Sequence, residues 1–148
     1  MPVPTDEMAA EAERGLEWRR DYGRGGTEVG VARARDIANK RDLSMDTVRR
    51  MNSYFARHEV DKEAEGFRPG EDGYPSAGRI AWALWSGDPG MAWASRIIDQ
   101  DDSSRSIFLS HLSALLASEP DASIRSFFSD YIVAFNLMTL RAGSEFAG

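Results

Sequence analysis

Seven basic residues fall between Arg33 and Arg57 (Arg33, Arg35, Lys40, Arg41, Arg49, Arg50 and Arg57) against three acids, Asp36, Asp42 and Asp46. That is a local excess of +4 in a chain of net charge -6, so the rest of the chain carries -10. Sixteen of the 18 basic residues are arginine, whose planar fork binds phosphate or carboxylate through two hydrogen bonds at once. The elements that must position these cations read as two helices. Asp36-Ile37-Ala38, then Leu43-Ser44, then Thr47-Val48-Arg49-Arg50 supply in order the small residue, apolar turn residue, Ser cap and apolar anchor of a helix-turn-helix. In that register Arg49, Arg50 and Asn52 project from the second helix toward bases, and Arg33, Arg35 and Arg41 reach phosphates. Two features oppose DNA contact: Asp42 stands where the turn commonly has Gly, and Asp46 would sit near phosphates. A plain structural helix pair is the competing reading.

Other chemistry finds little support. The chain has no Cys, which removes disulfides, thiolate catalysis, Cys-based zinc sites and iron–sulfur clusters. Its two His, at 58 and 111, leave little for a metal site, and His58-Glu59 lacks the second His of HExxH because position 62 is Lys. No GxSxG elbow is present. Gly23, Gly25, Gly26 and Gly30 precede a helix without the Lys-Ser/Thr of a phosphate loop, so they read as an inter-helix turn. The carboxylates Glu71, Asp72 and Asp88 have no spacing that selects an acid/base pair. The expectation is a non-enzymatic protein without cofactor or metal.

At 148 residues and 16.4 kDa, with 42% hydrophobic and 28% charged residues, the chain is expected to be globular, of one domain or one domain with an appendage. No apolar run reaches the roughly 18 residues of a membrane span, and the acidic start MPVPTDEM carries no visible export signal. A cytoplasmic, reducing origin and no membrane association are expected.

Periodicity predicts an all-α fold. Thr5 caps a helix to about Arg20, Thr27 or Glu28 opens a second to about Lys40, and Ser44 caps a third with the stripe Val48, Met51, Tyr54 and Phe55. Residues 59–75 hold Gly66, Pro69, Gly70, Gly73 and Pro75 too closely for regular structure. They form a long loop, either functional or pinned by Phe67 and Tyr74. Ser76 starts a fourth helix to Trp85. Asp88-Pro89 reads as an N-cap with Pro at N1, opening a fifth helix to Ile98. Trp82, Trp85 and Trp93 read as core, with a stacking platform as the alternative. The reading is therefore a compact five-helix domain over 1–98, an acidic linker over 99–104 (DQDDSS), and an apolar helical hairpin over 105–148, parted by Glu119-Pro120-Asp121. Phe108, Leu112, Leu115, Phe127, Phe128, Tyr131 and Phe135 lie on hairpin stripes that two helices alone cannot bury. They are the candidate protein interface, with completion of the chain's own core as the alternative.

The stretches Gly25-Gly26-Thr27, Ala32-Arg33-Ala34-Arg35-Asp36-Ile37-Ala38, Ser53-Tyr54-Phe55-Ala56-Arg57-His58-Glu59-Val60-Asp61-Lys62, Gly70-Glu71-Asp72-Gly73-Tyr74-Pro75-Ser76 and Gly78-Arg79-Ile80-Ala81-Trp82-Ala83-Leu84-Trp85-Ser86-Gly87-Asp88 resemble a small domain of tailed bacteriophages. That domain is found alone or joined to head proteins such as prohead proteases and portals. The resemblance spans about residues 5–98 and implies a phage setting rather than a mechanism. It implies a virion structural or assembly protein, of the cement, decoration, connector or internal head type, whose partners are other virion proteins or further copies of itself. A helix-turn-helix DNA binder and an inhibitor of a host protein, presenting carboxylates to a basic groove, are the alternatives.

Overall fold

The structure is a computed structural model that describes the backbone of residues 1–144 and the side chains of residues 1–137. Residues 145–148, the end of the expected hairpin, lie outside the described residues. All regular structure among the described residues is helical: α1 (Asp6–Tyr22), α2 (Glu28–Ala38), α3 (Met45–His58), a 3-10 turn (Glu59–Glu63), α4 (Ala77–Leu84), α5 (Gly87–Ala117) and α6 (Ala122–Ser144). The chain divides into two compact units, Met1–Ile98 and the part from Asp99 onward.

Hydroxyl caps start four of the helices in the first unit. The side chains of Thr5, Thr27, Ser44 and Ser76 accept from the backbone N–H of Met8, Gly30, Thr47 and Arg79 at 3.1–3.3 Å, satisfying donors that a helix start leaves without an internal partner. Gly23 ends α1 in the left-handed region, its N–H returned to the Arg19 carbonyl, as a C-terminal glycine does. Helix α1 packs against α2 and α4, and α3 packs against α4 and the 3-10 turn. The α1–α4 crossing depends on Gly15: a Cβ there would lie 2.6 Å from the Leu84 nitrogen and 2.8 Å from the Ala83 carbonyl carbon.

The stripes expected from periodicity converge on one core. Met8 and Ala12, Ala34 and Ile37, Val48, Met51 and Phe55, Ile80 and Leu84 are all buried, joined by Leu43 and Phe67 from the connections and by Trp93 and Ala94 from α5. Each large side chain contributes roughly 1.5–3 kcal/mol of burial free energy. Trp82 lies at the centre, edge-on to Phe55 (4.9 Å) and Phe67 (6.2 Å). Of the three tryptophans read as core, Trp82 and Trp93 are buried, whereas Trp85 is half-buried and stacked on Tyr54 at 4.7 Å.

The 59–75 segment is pinned rather than open. It begins as the 3-10 turn, buries Phe67, and lays Tyr74 edge-on to Trp18 at 5.7 Å. Arg24 donates to the carbonyls of Gly73 and Pro75, and the Ser76 N–H returns to Gly66. The backbone polar groups of this irregular segment thereby find partners within the domain.

Two boundaries differ from the sequence reading. Asp88 sits inside the first turn of α5 rather than capping it, because its carboxylate is engaged by Trp82 and Lys62. Residues 99–104 are helical, so the acidic stretch is no break in secondary structure: α5 runs for 31 residues through it. The segment contains no Gly or Pro to stop a helix, and Asp or Ser costs only a few tenths of a kcal/mol per position relative to better formers. Arg105 pairs with Asp101 at 3.5 Å, one turn apart, and supports the continuation.

In the second unit a short turn leads from α5 into α6. Asp121 accepts from the N–H groups of Ser123 (2.8 Å) and Ile124 (3.3 Å), and Arg125 donates back to the Glu119 carbonyl. Phe108, Leu109 and Leu112 of α5 and Tyr131, Ile132 and Phe135 of α6 line one groove, which sets the two helices side by side and antiparallel.

Candidate interaction surface

The cations singled out by spacing are dispersed and largely engaged by neighbouring acids. Arg33, four-fifths buried on α2, meets Asp36 at 3.2 Å, and Arg41 meets the other Asp36 oxygen at 3.3 Å. Arg50 pairs with Asp46 at 2.9 Å within α3. Arg49 and Asn52 are half-buried on α3. Arg35 is exposed and borders a groove of about 500 Å³ between α1 and α2, in which Glu13 and Glu17 stand among Arg19 and Arg20. Helix α2 rests on α1 and α4 while α3 rests on α4 and the 3-10 turn, so α4 ties the pair together. The structure thus gathers Arg33 and Arg41 at Asp36 and distributes Arg35, Arg49, Arg50 and Asn52 over two helices.

A second polar constellation has no local signal in the sequence. Asp88 accepts from the Trp82 indole N–H at 3.0 Å and from Lys62 at 2.7 Å, and the Lys62 ammonium also lies 4.6 Å over the Trp82 ring. Arg79 donates to Glu11 at 2.6 Å across 68 residues of sequence and stacks over Trp18 at 4.9 Å. Burial raises the Asp88 pKa, but hydrogen bonds from Lys62 and Trp82 with the charges of Lys62 and Arg79 outweigh it and hold the carboxyl below its ordinary value. Burial, aided by Asp61, pushes the Tyr54 phenol up, while Tyr54 stacks on His58, which lies 3.0 Å from Asp61. These groups fasten the 3-10 turn and the start of α5 to α4. An ionised, paired carboxylate suits such a clamp better than proton transfer near neutral pH. Among the described residues no group of three or more His, Asp or Glu is placed to hold a metal ion.

The large exposed surface is apolar and belongs to the second unit. Among the described residues from 95 to 137 none is buried. Phe108 and Tyr131 are each 60% exposed and Phe127 70%, and Leu115, Phe128 and Phe135 are exposed beside them, with Leu112 half-buried in the groove. All seven residues expected at an interface therefore lie in one unit. Phe108, Leu112, Tyr131 and Phe135 share the groove, and Phe127 and Phe128 contact each other edge-on at 5.5 Å. Ile107, Ile124, Val133 and Leu137 are exposed as well. Val133 and Leu137 fall off the main stripe of α6 and make it apolar on a second side, which a search for one amphipathic face passes over. Scattered apolar exposure is normal, whereas here the exposed apolar side chains are concentrated along two neighbouring helices. No helix among the described residues is long and apolar enough to cross a membrane.

No family model, curated protein or solved structure matches the chain. The phage resemblance of residues 5–98 rests on the quoted residues alone.

Proposed function

We propose that this chain is a non-enzymatic assembly protein: a five-helix N-terminal domain that carries an apolar helical hairpin, through which it binds protein. One observation carries the reading, the ten large apolar side chains exposed on α5 and α6 between Ile107 and Leu137. Keeping such a patch in water is unfavourable at about 25 cal/mol per Å², and covering it by another protein surface recovers that free energy. The setting is a tailed-phage virion, made in the host cytoplasm, with other head proteins or further copies as partners. The setting derives from the resemblance, the mode of action from the hairpin.

The test is sedimentation of the full chain beside a Phe127→Ser, Leu115→Ser double variant. The wild type is expected to associate and the variant to associate less. Equal behaviour of the two would remove the hairpin as the association surface. Mass spectrometry of purified particles tests the setting, and absence of the chain from them would remove the virion role while leaving association intact. DNA contact through Arg33, Arg35, Arg41, Arg49, Arg50 and Asn52 is the weaker reading, since Asp36 and Asp46 engage three of those cations. Salt-dependent DNA binding lost on Arg35→Ala and Arg49→Ala would restore it.

A further inference from the structure

We infer that the surface covering the apolar pair is a second copy of the same pair, so that α5 and α6 of two chains form a two-fold, four-helix bundle. The inference rests on the assembly reading and names its partner. Two observations select a second copy.

The first is area. Leaving aside Val133 and Leu137 on the second side of α6, eight large apolar side chains, five of them aromatic, are exposed between 38% and 70%; at roughly 150–250 Å² for a whole aromatic side chain and somewhat less for an aliphatic one, they leave on the order of 800 Å² per chain. A stable dimer needs about 800 Å² from each partner. The patch is therefore large enough to hold two chains together without help from the first unit.

The second is charge. Over residues 106–117 and 122–137 the only charged side chains are Arg125 and Asp130, which cancel. A chain of net charge -6 would ordinarily repel its own copy, yet here two identical faces meet without like-charge opposition. The same neutrality offers no electrostatic handle to a foreign protein chosen by charge. It also lacks the Trp and the Lys/Arg-rich polar face of a helix lying on a lipid surface. What remains is an apolar occupant of matching dimensions, and the chain supplies one itself.

The groove gives the geometry. Leu109, Leu112 and Ile132 line it beside the exposed rings of Phe108, Tyr131 and Phe135, in a volume of about 230 Å³. A two-fold axis through this groove makes the contact isologous, each copy's rings meeting the other's groove. Antiparallel helix pairs that dock in this way build the core of a four-helix bundle from facing stripes.

Light scattering and sedimentation equilibrium on the full chain, from micromolar concentration upward, test it. The expected mass is twice 16.4 kDa. Phe108→Glu and Tyr131→Glu, each at an exposed position, are expected to raise the dimer dissociation constant by about 30-fold or more, the loss typical of a buried interface anchor. Both variants should keep the wild-type tryptophan fluorescence, because all four Trp lie within residues 1–98. A second measurement uses the absence of cysteine: Leu109→Cys should be bridged between chains by a short bismaleimide, whereas Val29→Cys on α2 should not. Equal bridging at both positions, or a dimer unaffected by the two Glu variants, overturns the inference. A monomer that binds the apolar dye anilinonaphthalene sulfonate overturns it too, while leaving the assembly reading in place. A monomer that binds no dye, or that instead cosediments with phosphatidylcholine/phosphatidylglycerol vesicles, overturns both.

Discussion

Residues 1–98 and residues 99–137 are both helical and both rich in large apolar side chains, yet they treat those side chains in opposite ways. In the first unit Trp82, Phe55, Ile37, Met51 and Leu84 are all 2% exposed or less. In the second, Phe127, Leu115 and Tyr131 are more than half exposed. The difference is one of numbers of elements. Four helices, the start of a fifth and a pinned loop can surround a common centre, whereas two helices can only lie side by side and leave their outer faces in water. Apolar content is therefore buried core in one region and exposed surface in the other.

The comparison predicts that the same kind of truncation has very different costs. Phe55→Ala should destabilise the 1–98 unit by about 3–5 kcal/mol, the range for a buried aromatic, as measured by urea unfolding followed through tryptophan fluorescence. A cost under about 1 kcal/mol would show that the core tolerates the cavity and that the contrast is false. Gly15→Val should follow at about 3 kcal/mol, because its side chain must displace the backbone of Ala83 and Leu84 rather than a flexible tip. Wild-type stability in that variant would mean the α1–α4 crossing is looser than described.

Asp88→Asn should cost about 1 kcal/mol, a value kept low because the carboxylate is largely exposed. The sign with pH follows from its lowered pKa. The native state holds Asp88 ionised more readily than the unfolded chain does, so the gain is present above the ordinary value of 3.8 and is lost as pH falls through the lower native one. Acid titration of stability should thus be shallower in Asp88→Asn than in the wild type below about pH 4. An identical acid limb in both would remove the Lys62–Asp88–Trp82 clamp. The smallest effect belongs to Phe127→Ser, which should change the tryptophan-monitored unfolding by no more than about 0.5 kcal/mol while reducing association. A large loss of folding stability there would show that the second unit is part of the first unit's core.

Much of the fold was legible. Hydroxyl residues ahead of apolar stripes located the starts of α1, α3 and α4, since an N-cap is a local bond between a side chain and an N–H two or three residues on. The stripe Val48, Met51, Tyr54 and Phe55 is visible from its spacing, and the fold buries all four residues. The continuity of α5 was not legible, because an acidic run resembles a boundary in composition although it lacks any residue that stops a helix. The partners of Arg33 and Arg50 were visible as nearby acids, but their pairing was not, since it depends on which rotamers the packed helices leave open. Glu11 and Arg79 are 68 positions apart, and no spacing rule links them.

By itself, then, the sequence determined the all-helical class, the positions of the caps and which residues share a helical face, because each of these follows from interactions within four or so residues. Only the tertiary structure decided which faces are covered. The stripe through Trp82 and the stripe through Phe127 are both apolar as sequence, and burial separates them because it depends on how many other elements surround a helix, a property that no single helix contains.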